Sequence, residues 1–313
     1  MAKPLVSVLI PCFNAERYIA DTLDSVLRQT WPEIEIIVVN DGSTDGSARV
    51  VTRFPSVKLL NQPNAGQTVA LNKALSHARG DFVQYLDADD LISENKIEVQ
   101  LRRLVDSPRC VASCAWGRFW KSPDETRFLS ESVWRDMDPV DWLVESRAGG
   151  GGMMLPALWL LPRTLIDGIG PWREDLSLNN DAEYFTRALL LCDHVLFCEG
   201  ARCYYRSGIH GSLSGRKSPK AWKSQFIVIE LCEERIMARE DSERVRRGFA
   251  LSWQHLAHAC YPYDRTLARR ALARASSLHT VQIRPDGGAT FHLISRLLGW
   301  KVARLLQVAS GRP

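Results

Sequence analysis

Two acidic side chains follow a strongly apolar stretch of the N-terminal third. Asp87 and Asp89 end the segment 81–89, and residues at i and i+2 leaving a strand point to the same side. Two adjacent carboxylates repel each other unless a cation lies between them, and Mg²⁺ or Mn²⁺ takes such oxygens and completes its shell with phosphate oxygens. The spacing therefore indicates a divalent cation and a diphosphate-bearing ligand. Capping of the following helix by Asp89 or Asp90 is the alternative.

A second set of candidate groups lies between residues 180 and 210. Asp181 and Glu183 stand in the first turn of a predicted helix over 180–191, where carboxylates stabilise the helix N-terminus. Arg206 and His210 are cationic or titratable groups that could steady a diphosphate or join a metal shell. For His210, an exposed loop position without a role is an equal alternative.

Strands that alternate with helices must position these groups. The apolar patterns predict strands over 5–11, 34–40, 57–60 and 81–87, followed by strands over 110–116, 157–161 and 195–205. They predict helices over 44–53, 66–78, 94–105 and 180–191, and a helix capped by Asn14. This alternation is typical of a parallel sheet covered on both faces by helices, in which ligands bind beyond the carboxyl ends of the strands.

The composition is that of a globular protein. The chain has 313 residues, of which 45% are hydrophobic and 24% charged, which excludes disordered and fibrous classes. Its eight cysteines form no C-x-x-C pair, so we expect buried, reduced thiols rather than a zinc site. No apolar run is long enough to span a membrane, and the start resembles a strand rather than a signal peptide. We therefore expect a cytoplasmic protein, with a mobile loop at the glycine run 149–152.

The charge distribution divides the chain near residue 216. Residues 1–215 carry 22 Lys and Arg against 28 Asp and Glu, whereas residues 216–313 carry 18 against 8. We therefore predict an N-terminal domain over 1–215, with halves of about 1–116 and 117–215, and a basic helical region over 216–313 that meets something anionic. Nucleic acid is a poor candidate, because no known binding module is visible.

An apolar stripe runs through the C-terminal region from Phe291 to Ala309 at helical spacing, with Arg296, Lys301 and Arg304 off the stripe. Two interpretations stay open. The helix packs on the rest of the chain or on a second copy in a homodimer, or it lies on the anionic inner face of a membrane as a peripheral contact.

Four ordered blocks in the first ninety residues carry a family resemblance: VSVLIPCFNAERYIADTLDSVLRQT at 6–30, NDGSTDGS at 40–47, QPNAGQTVALNKAL at 62–75 and GDFVQYLDADD at 80–90. Together they resemble the donor-binding half of a family 2 glycosyltransferase. The resemblance implies a GT-A fold, a Rossmann-like α/β/α sandwich with a C-terminal helical extension here. It also implies a nucleoside-diphosphate sugar as donor, with UDP as the expected nucleotide, and Mg²⁺ or Mn²⁺ as cofactor.

The same resemblance suggests roles for individual residues. The residues it relates to the donor are Pro11, Phe13, Asn14, Glu16, Asp41, Asp87 and Arg206, with Pro11 and Phe13 beside the nucleobase and Asp41 bonded to it. Those it relates to the metal are Asp89, Asp87 and His210. For Asn14, the role of a plain helix cap is as good an interpretation as donor binding.

The second half resembles the family block that ends in an acidic pair opening a helix. Asp181 matches the position of the base, which in an inverting transfer accepts the proton of the attacking hydroxyl. The companion acid is replaced by Asn180, which leaves its role open, and Glu183 is an alternative base. The expected acceptor is a hydroxyl of a glycan or of a lipid-linked oligosaccharide.

Two other functions are compatible with a fold of this kind. Because of the Asn180 departure, a non-catalytic sugar-nucleotide-binding or scaffold subunit of a polysaccharide assembly complex stays an alternative. A nucleotidyltransferase should carry a glycine-rich basic loop after the first strand, and residues 11–16 contain no glycine.

Overall fold

A mixed eight-stranded sheet forms the centre of the computed structural model, which describes residues 3–147, 153–209, 211–212, 215, 217–280 and 287–310. The predicted loop at 149–152 lies outside these residues. The order across the sheet is β3-β2-β1-β4-β7-β6-β8-β5. The strands are β1 Val6–Cys12, β2 Ile34–Asp41, β3 Val57–Gln62, β4 Phe82–Tyr85, β5 Leu91–Ile92, β6 Val111–Phe119, β7 Leu160–Pro162 and β8 Val195–Arg206.

The predicted parallel arrangement is confirmed for the first four strands. β1 pairs in parallel with β2 on one side and with β4 on the other, and β2 pairs in parallel with β3. Beyond β4 the sheet is mixed, because β7 runs antiparallel to both β4 and β6. The carboxyl ends of β1, β2 and β4 therefore meet at one edge, where the acidic side chains follow.

Twelve α-helices cover the sheet and form the C-terminal part of the described chain. They are α1 Ile19–Leu27, α2 Ser47–Val51, α3 Gln67–Ser76, α4 Lys96–Leu104, α5 Pro139–Glu145, α6 Arg163–Ile169, α7 Asn180–Leu191, α8 Pro219–Met237, α9 Glu243–Cys260, α10 Arg265–Leu278, α11 Ala289–Leu298 and α12 Trp300–Ala309. Buried apolar side chains of α8, α9 and α10 are continuous with the core of the sheet. The predicted domain division at residue 216 stays a prediction.

Several local predictions were wrong. Asn14 does not cap α1, which begins at Ile19, because Asn14 adopts a left-handed backbone with φ of 49°. The strand predicted over 157–161 is shorter, since Pro156–Leu158 forms a 3₁₀ turn before β7. The short helices α5 and α6 lie in a region where the sequence showed no clear period. A proline at the first position of α5, after the capping side chain of Asp138, favours that helix.

A cluster of aromatic rings joins the end of β4 to the start of α7. Trp172 stacks on Tyr184 with ring centroids 4.0 Å apart and planes 2° apart, and the hydroxyls of Tyr85 and Tyr184 lie 2.9 Å apart. Tyr85 also meets Trp172 and Phe185 edge to face. All four rings are almost fully buried, so the strand that leads into Asp87 and the helix that begins beside Asp181 form one packed unit.

A buried lysine holds the same strand from the other side. The ammonium of Lys96 donates to the side-chain oxygens of Gln84 on β4 and Gln100 on α4, and Gln100 donates to the carbonyl of Leu158. Burial lowers the pKa of Lys96. The network ties α4 to β4 and to the 3₁₀ turn before β7, because each buried polar group needs its partner.

The C-terminal stripe is not one helix. Gly299 has a φ of 82°, a left-handed conformation in which glycine is the favoured residue, and it separates α11 from α12. Arg304 lies on the ring of Phe291, 5.0 Å from its centroid, so these two helices pack against each other. Trp300 contacts His258 and Tyr261 at the end of α9. The prediction of a single continuous helix over 291–309 was therefore wrong.

The cysteine prediction is confirmed, since all eight cysteines are buried and none forms a disulfide. Within the described ranges, no helix combines the length and the hydropathy that crossing a bilayer requires.

Candidate functional site

Asp41 ends β2 with a fully bonded carboxylate. It accepts the backbone N–H groups of Ala65 and Gly66 at 2.8 and 2.9 Å, and the side chain of Gln62 at 2.7 Å. The backbone at Gly42, directly after Asp41, lies close to that of Asn64, and a Cβ at Gly42 would lie 2.5 Å from the backbone nitrogen of Asn64. Gly42 also has a φ of 69°, which favours glycine. Asp41 is buried and orders the loop that leads into α3.

The residues after β1 include one exposed aromatic ring and two polar side chains that contact the loop after β2. Phe13 is 43% exposed, whereas Pro11 is buried in the strand. The amide oxygen of Asn14 accepts the backbone N–H of Thr44 at 2.8 Å, and Glu16 accepts that of Gly46 at 2.9 Å. Asn14 and Glu16 thus bind the loop after β2, whereas the ring of Phe13 is exposed.

Three carboxyl groups are crowded immediately after β4. Burial, followed by the charges of Asp89 and Asp181, raises the pKa of Asp87 to about 7. Burial also raises the pKa of Asp89, and burial with the charges of Asp89 and Asp87 raises that of Asp90 well above its usual range. Like charges that share a poorly solvated site disfavour one another's ionisation. The three groups therefore form a site that favours added positive charge.

Arg206 is the cation that the structure places beside this site. It lies at the end of β8, and its Nε donates to the backbone oxygen of Asp89 at 2.9 Å while its backbone N–H donates to the carboxylate of Asp90 at 2.9 Å. Its Nη2 donates to Asp21 at 3.0 Å, and its guanidinium stacks on Phe119. These contacts fix the loop 87–90 against β8, and the Arg206 charge lowers the pKa of Asp89 without cancelling the effect of burial.

Asp181 lies across the site from the strand-end carboxylates. It is the second residue of α7 and is partly buried, and burial raises its pKa to about 6. Its charge contributes to the raised pKa of Asp87, so the two carboxyl groups are close in space although 94 positions apart in the sequence. The structure thus brings Asp181 to the same edge as Asp87 and Asp89.

An amide bridge connects the two sides, and the sequence analysis did not single out its central residue. Gln67 donates to Asp87 at 2.8 Å, and its side-chain oxygen accepts the amide of Asn180 at 3.3 Å. An ionised Asp87 can only accept hydrogen bonds, so the amide nitrogen of Gln67 faces Asp87 and its oxygen faces Asn180. A carboxylate at position 180 could not donate to Gln67 unless it were protonated. Asn180 therefore suits this site without adding another negative charge.

Glu183 serves a different purpose. Its buried carboxylate accepts two hydrogen bonds from Arg187, both at 2.9 Å, and lies 3.3 Å from Arg235 on α8. Arg187 also donates to the backbone oxygen of Pro171. Both carboxylate oxygens of Glu183 are thus held in ion pairs with arginines.

The residues predicted to hold a metal are only partly described. Asp87 and Asp89 stand at one edge, whereas His210 lies outside the described residues. No cluster of three or more His, Cys, Asp or Glu side chains suited to a metal occurs in the described part of the chain. The donor types nevertheless fit a hard divalent cation, since oxygen Oδ2 of Asp90 is buried and finds no hydrogen-bond donor among the described residues.

The sequence relatives agree with the resemblance seen in the first ninety residues. The sequence model of glycosyl transferase family 2 matches residues 7–161. The uncharacterised glycosyltransferase YibD of Escherichia coli K12 is 32% identical over 190 residues, which cover 57% of this chain and 51% of YibD. The chain spans about half the length of the first curated relatives that it matches.

Solved structures share the architecture at low sequence identity. S. aureus TarS 1–349, solved in complex with UDP-GlcNAc, has a TM-score of 0.71 and 17% identity, with 98% of this chain and 92% of that chain covered. The mannosyltransferase PcManGT of Pyrobaculum calidifontis, solved with GDP-Man and Mn²⁺, has a TM-score of 0.56 and 19% identity, with 99% and 87% covered. By the match over residues 7–161 the chain belongs to glycosyl transferase family 2, and the shared architecture is the GT-A fold.

Proposed function

We propose that this chain is an inverting glycosyltransferase that moves a sugar from a nucleoside-diphosphate donor, expected to be UDP-linked, to a hydroxyl of a glycan or lipid-linked acceptor. One observation carries the proposal. Asp181 stands at the same edge of the sheet as Asp87 and Asp89, close enough for its charge to help raise the pKa of Asp87. A base thus faces the carboxylates that would lie beside the donor. UDP is favoured because the similar TarS structure holds UDP-GlcNAc.

The donor would lie along the edge formed by β1, β2 and β4. The exposed ring of Phe13 offers a flat apolar surface for a nucleobase, and Asp41 orders the loop beside it. Asp87 faces the ribose in this proposal. Arg206 is held against Asp89 and Asp90 by hydrogen bonds, so its charge lies close to where a diphosphate would be bound.

Transfer requires the acceptor hydroxyl to give up its proton to a defined atom of the protein. The acceptor hydroxyl attacks the anomeric carbon on the side opposite the diphosphate, the C–O bond to the diphosphate breaks, and a carboxylate oxygen of Asp181 accepts the hydroxyl proton. A base with a pKa of about 6 is ionised near neutrality and is still basic enough to accept a proton in the transition state.

A divalent cation fits the proposal as cofactor, with Asp87 and Asp89 as its protein ligands. Such an ion, when bound, neutralises charge on a diphosphate leaving group. The support in this chain is the crowding of carboxyl groups whose pKa values are raised by burial and by one another, and the similar PcManGT structure contains Mn²⁺.

Replacing Asp181 by Asn should abolish turnover and leave donor binding intact. We expect Asp181→Asn to lower the rate of donor hydrolysis or transfer by about 10²- to 10⁴-fold, the usual contribution of a general base, with the donor Kd within about twofold of wild type. Wild-type kcat should rise with pH through about 6. Hydrolysis kinetics and calorimetry across UDP-, GDP- and dTDP-sugars measure both quantities.

The matched control is Asp167→Asn, the same change on the exposed face of α6, which should behave as wild type. Equal turnover in Asp181→Asn and wild type would contradict the assignment of the base. A wild type that binds a donor but transfers to neither water nor any glycan would favour the scaffold alternative.

Replacing Asp87 by Asn should stabilise the protein without added metal, in a pH-dependent manner. The folded-state pKa of Asp87, about 7, is raised above its ordinary value of 3.8, so its favourable contribution to stability is present below pH 4 and is lost as the pH rises through 7. In EDTA at pH 8, we expect the free energy of unfolding of Asp87→Asn to exceed that of wild type by about 1–3 kcal/mol. Near pH 4 the two should be equal. Urea unfolding at each pH measures this.

Added Mn²⁺ should raise the stability of wild type at pH 8 and remove the advantage of Asp87→Asn. The control is Asp106→Asn, because Asp106 is exposed and makes no ion pair among the described residues. An Asp87→Asn variant whose advantage is the same at pH 4 and pH 8 would contradict the electrostatic account.

We further propose that α11 and α12 contact an anionic membrane surface, where a lipid-linked acceptor would lie. Leu297 is 74% exposed and Leu306 is 48% exposed, beside the exposed cations Arg296 and Lys301. Apolar side chains flanked by cations are typical of a helix that lies on a membrane surface. A homodimer through the same surface is the alternative.

Replacing Leu297 by Glu should weaken vesicle binding. Burying a leucine contributes about 1.5–3 kcal/mol, so we expect Leu297→Glu to lower partitioning into phosphatidylglycerol-rich vesicles by about tenfold or more, measured by co-sedimentation. The control Leu129→Glu makes the same change at an exposed leucine elsewhere and should bind normally. Equal binding of wild type to neutral and anionic vesicles would contradict the proposal, and a concentration-dependent dimer lost in Leu297→Glu would favour the homodimer.

A further inference from the structure

A small cavity with Asp181 on its lining lies between the end of α5 and the helices α7, α8 and α9. Its volume is about 140 Å³. That is small against the roughly 300–1,000 Å³ of a complete small-molecule site, so the cavity suits one group of a larger molecule. The described residues that line it at the Asp181 end are Asn179, Asp181 and Ala182.

The cavity contains a buried arginine. Arg147, just after α5, is only 9% exposed. Its Nη1 donates to the backbone oxygen of Leu143 at 3.0 Å, its Nη2 donates to the hydroxyl of Thr186 at 3.4 Å, and its guanidinium lies 5.6 Å from the ring centre of Phe249. Among the described residues no carboxylate lies within ion-pair distance of it; Asp181 lines the same cavity without forming an ion pair with it.

A buried guanidinium without a carboxylate partner is uncommon, because a desolvated charge is costly unless it is paired. Two of its five N–H groups are used by described residues, so donors remain for a ligand in the cavity. Other polar groups on the lining are Ser252, Gln225 and His255, and the apolar lining includes Met154 and Ile229.

We propose that this cavity is an acceptor subsite that binds an anionic group, a phosphate in the first instance, with Arg147 as its anchor. The inference rests on the proposed function, because it assigns the acceptor side of the same site. A planar guanidinium suits a phosphate by bidentate hydrogen bonding. The apolar lining accommodates a hydrocarbon or ring beside the phosphate. The acceptor class is thus a phosphate-bearing glycan or glycolipid, bound with its hydroxyl toward Asp181.

The test uses decyl phosphate as probe, with decyl glucoside and inorganic phosphate as comparisons. Calorimetry in EDTA on the full chain measures each Kd. We expect wild type to bind decyl phosphate, with an affinity about 10- to 100-fold lower in Arg147→Met, the usual loss for a hydrogen bond to a charged group. The affinity of Arg147→Lys should lie between those of wild type and Arg147→Met, since lysine keeps the positive charge but cannot form the bidentate hydrogen bonds of a guanidinium. Arg135→Met, an exposed arginine, is the control and should equal wild type.

The two comparison probes identify the chemistry. If inorganic phosphate binds as tightly as decyl phosphate, the anion alone is recognised. If it binds more weakly, the apolar lining contributes to affinity. Both outcomes support Arg147 as the anchor. Decyl glucoside that binds as tightly as decyl phosphate, or an Arg147→Met affinity equal to that of wild type, would overturn the inference.

A second readout separates this inference from the proposed function. Donor binding is measured on the same samples, and normal donor affinity in Arg147→Met shows that the variant is folded. If wild type binds no sugar nucleotide, the proposed function fails, whereas decyl phosphate binding still reports on the cavity. If donor binding is normal and Arg147 has no effect on decyl phosphate, only the acceptor inference fails.

Discussion

Negative charge concentrated at one edge of the sheet is the constraint on which the site depends. Asp87, Asp89 and Asp90 follow a single strand, and Asp181 approaches from a helix on the other side. Burial raises the pKa values of all four groups, and neighbouring carboxylate charges add to the effect at Asp87 and Asp90, so ionising this edge of the sheet is unfavourable. Arg206 offsets part of it by holding the loop and lowering the pKa of Asp89. The remainder leaves an edge that favours added positive charge.

The rest of the fold keeps these carboxylates together. The stacked rings of Trp172 and Tyr184, with Tyr85 at the end of β4, lock the strand to α7. Gln67 adds a hydrogen-bonded link between Asp87 and the first residue of α7. Because both links connect segments about a hundred positions apart, the position of Asp181 relative to Asp87 depends on long-range packing. Asp181 and the carboxylates after β4 are therefore held in place by the same set of contacts.

Local patterns predicted much of this fold and part of the site. The strand predicted over 81–87, with Asp87 as its last residue and Asp89 just after it, was visible in the sequence, because a strand end and its polar residues are neighbours along the chain. The role of Gln67 was not, since it depends on a contact with a helix 113 positions away. The helix break at Gly299 was missed because the helical spacing of apolar residues continues across it. That spacing gives no information on the left-handed backbone conformation that Gly299 adopts. The sequence did not single out Arg147, because its burial depends on contacts with Thr186 on α7 and Phe249 on α9.

Calorimetric titration of UDP into wild type and Asp89→Ala, each with Mn²⁺ or with EDTA, tests the central claim most directly. The account predicts that Mn²⁺ tightens UDP binding to wild type by about tenfold or more, the gain expected from a charge-assisted contact, and that Asp89→Ala loses this gain. UDP that binds wild type equally with Mn²⁺ and with EDTA, or an Asp89→Ala variant that keeps the full effect of the metal, would contradict the assignment of this edge as the cation and diphosphate site.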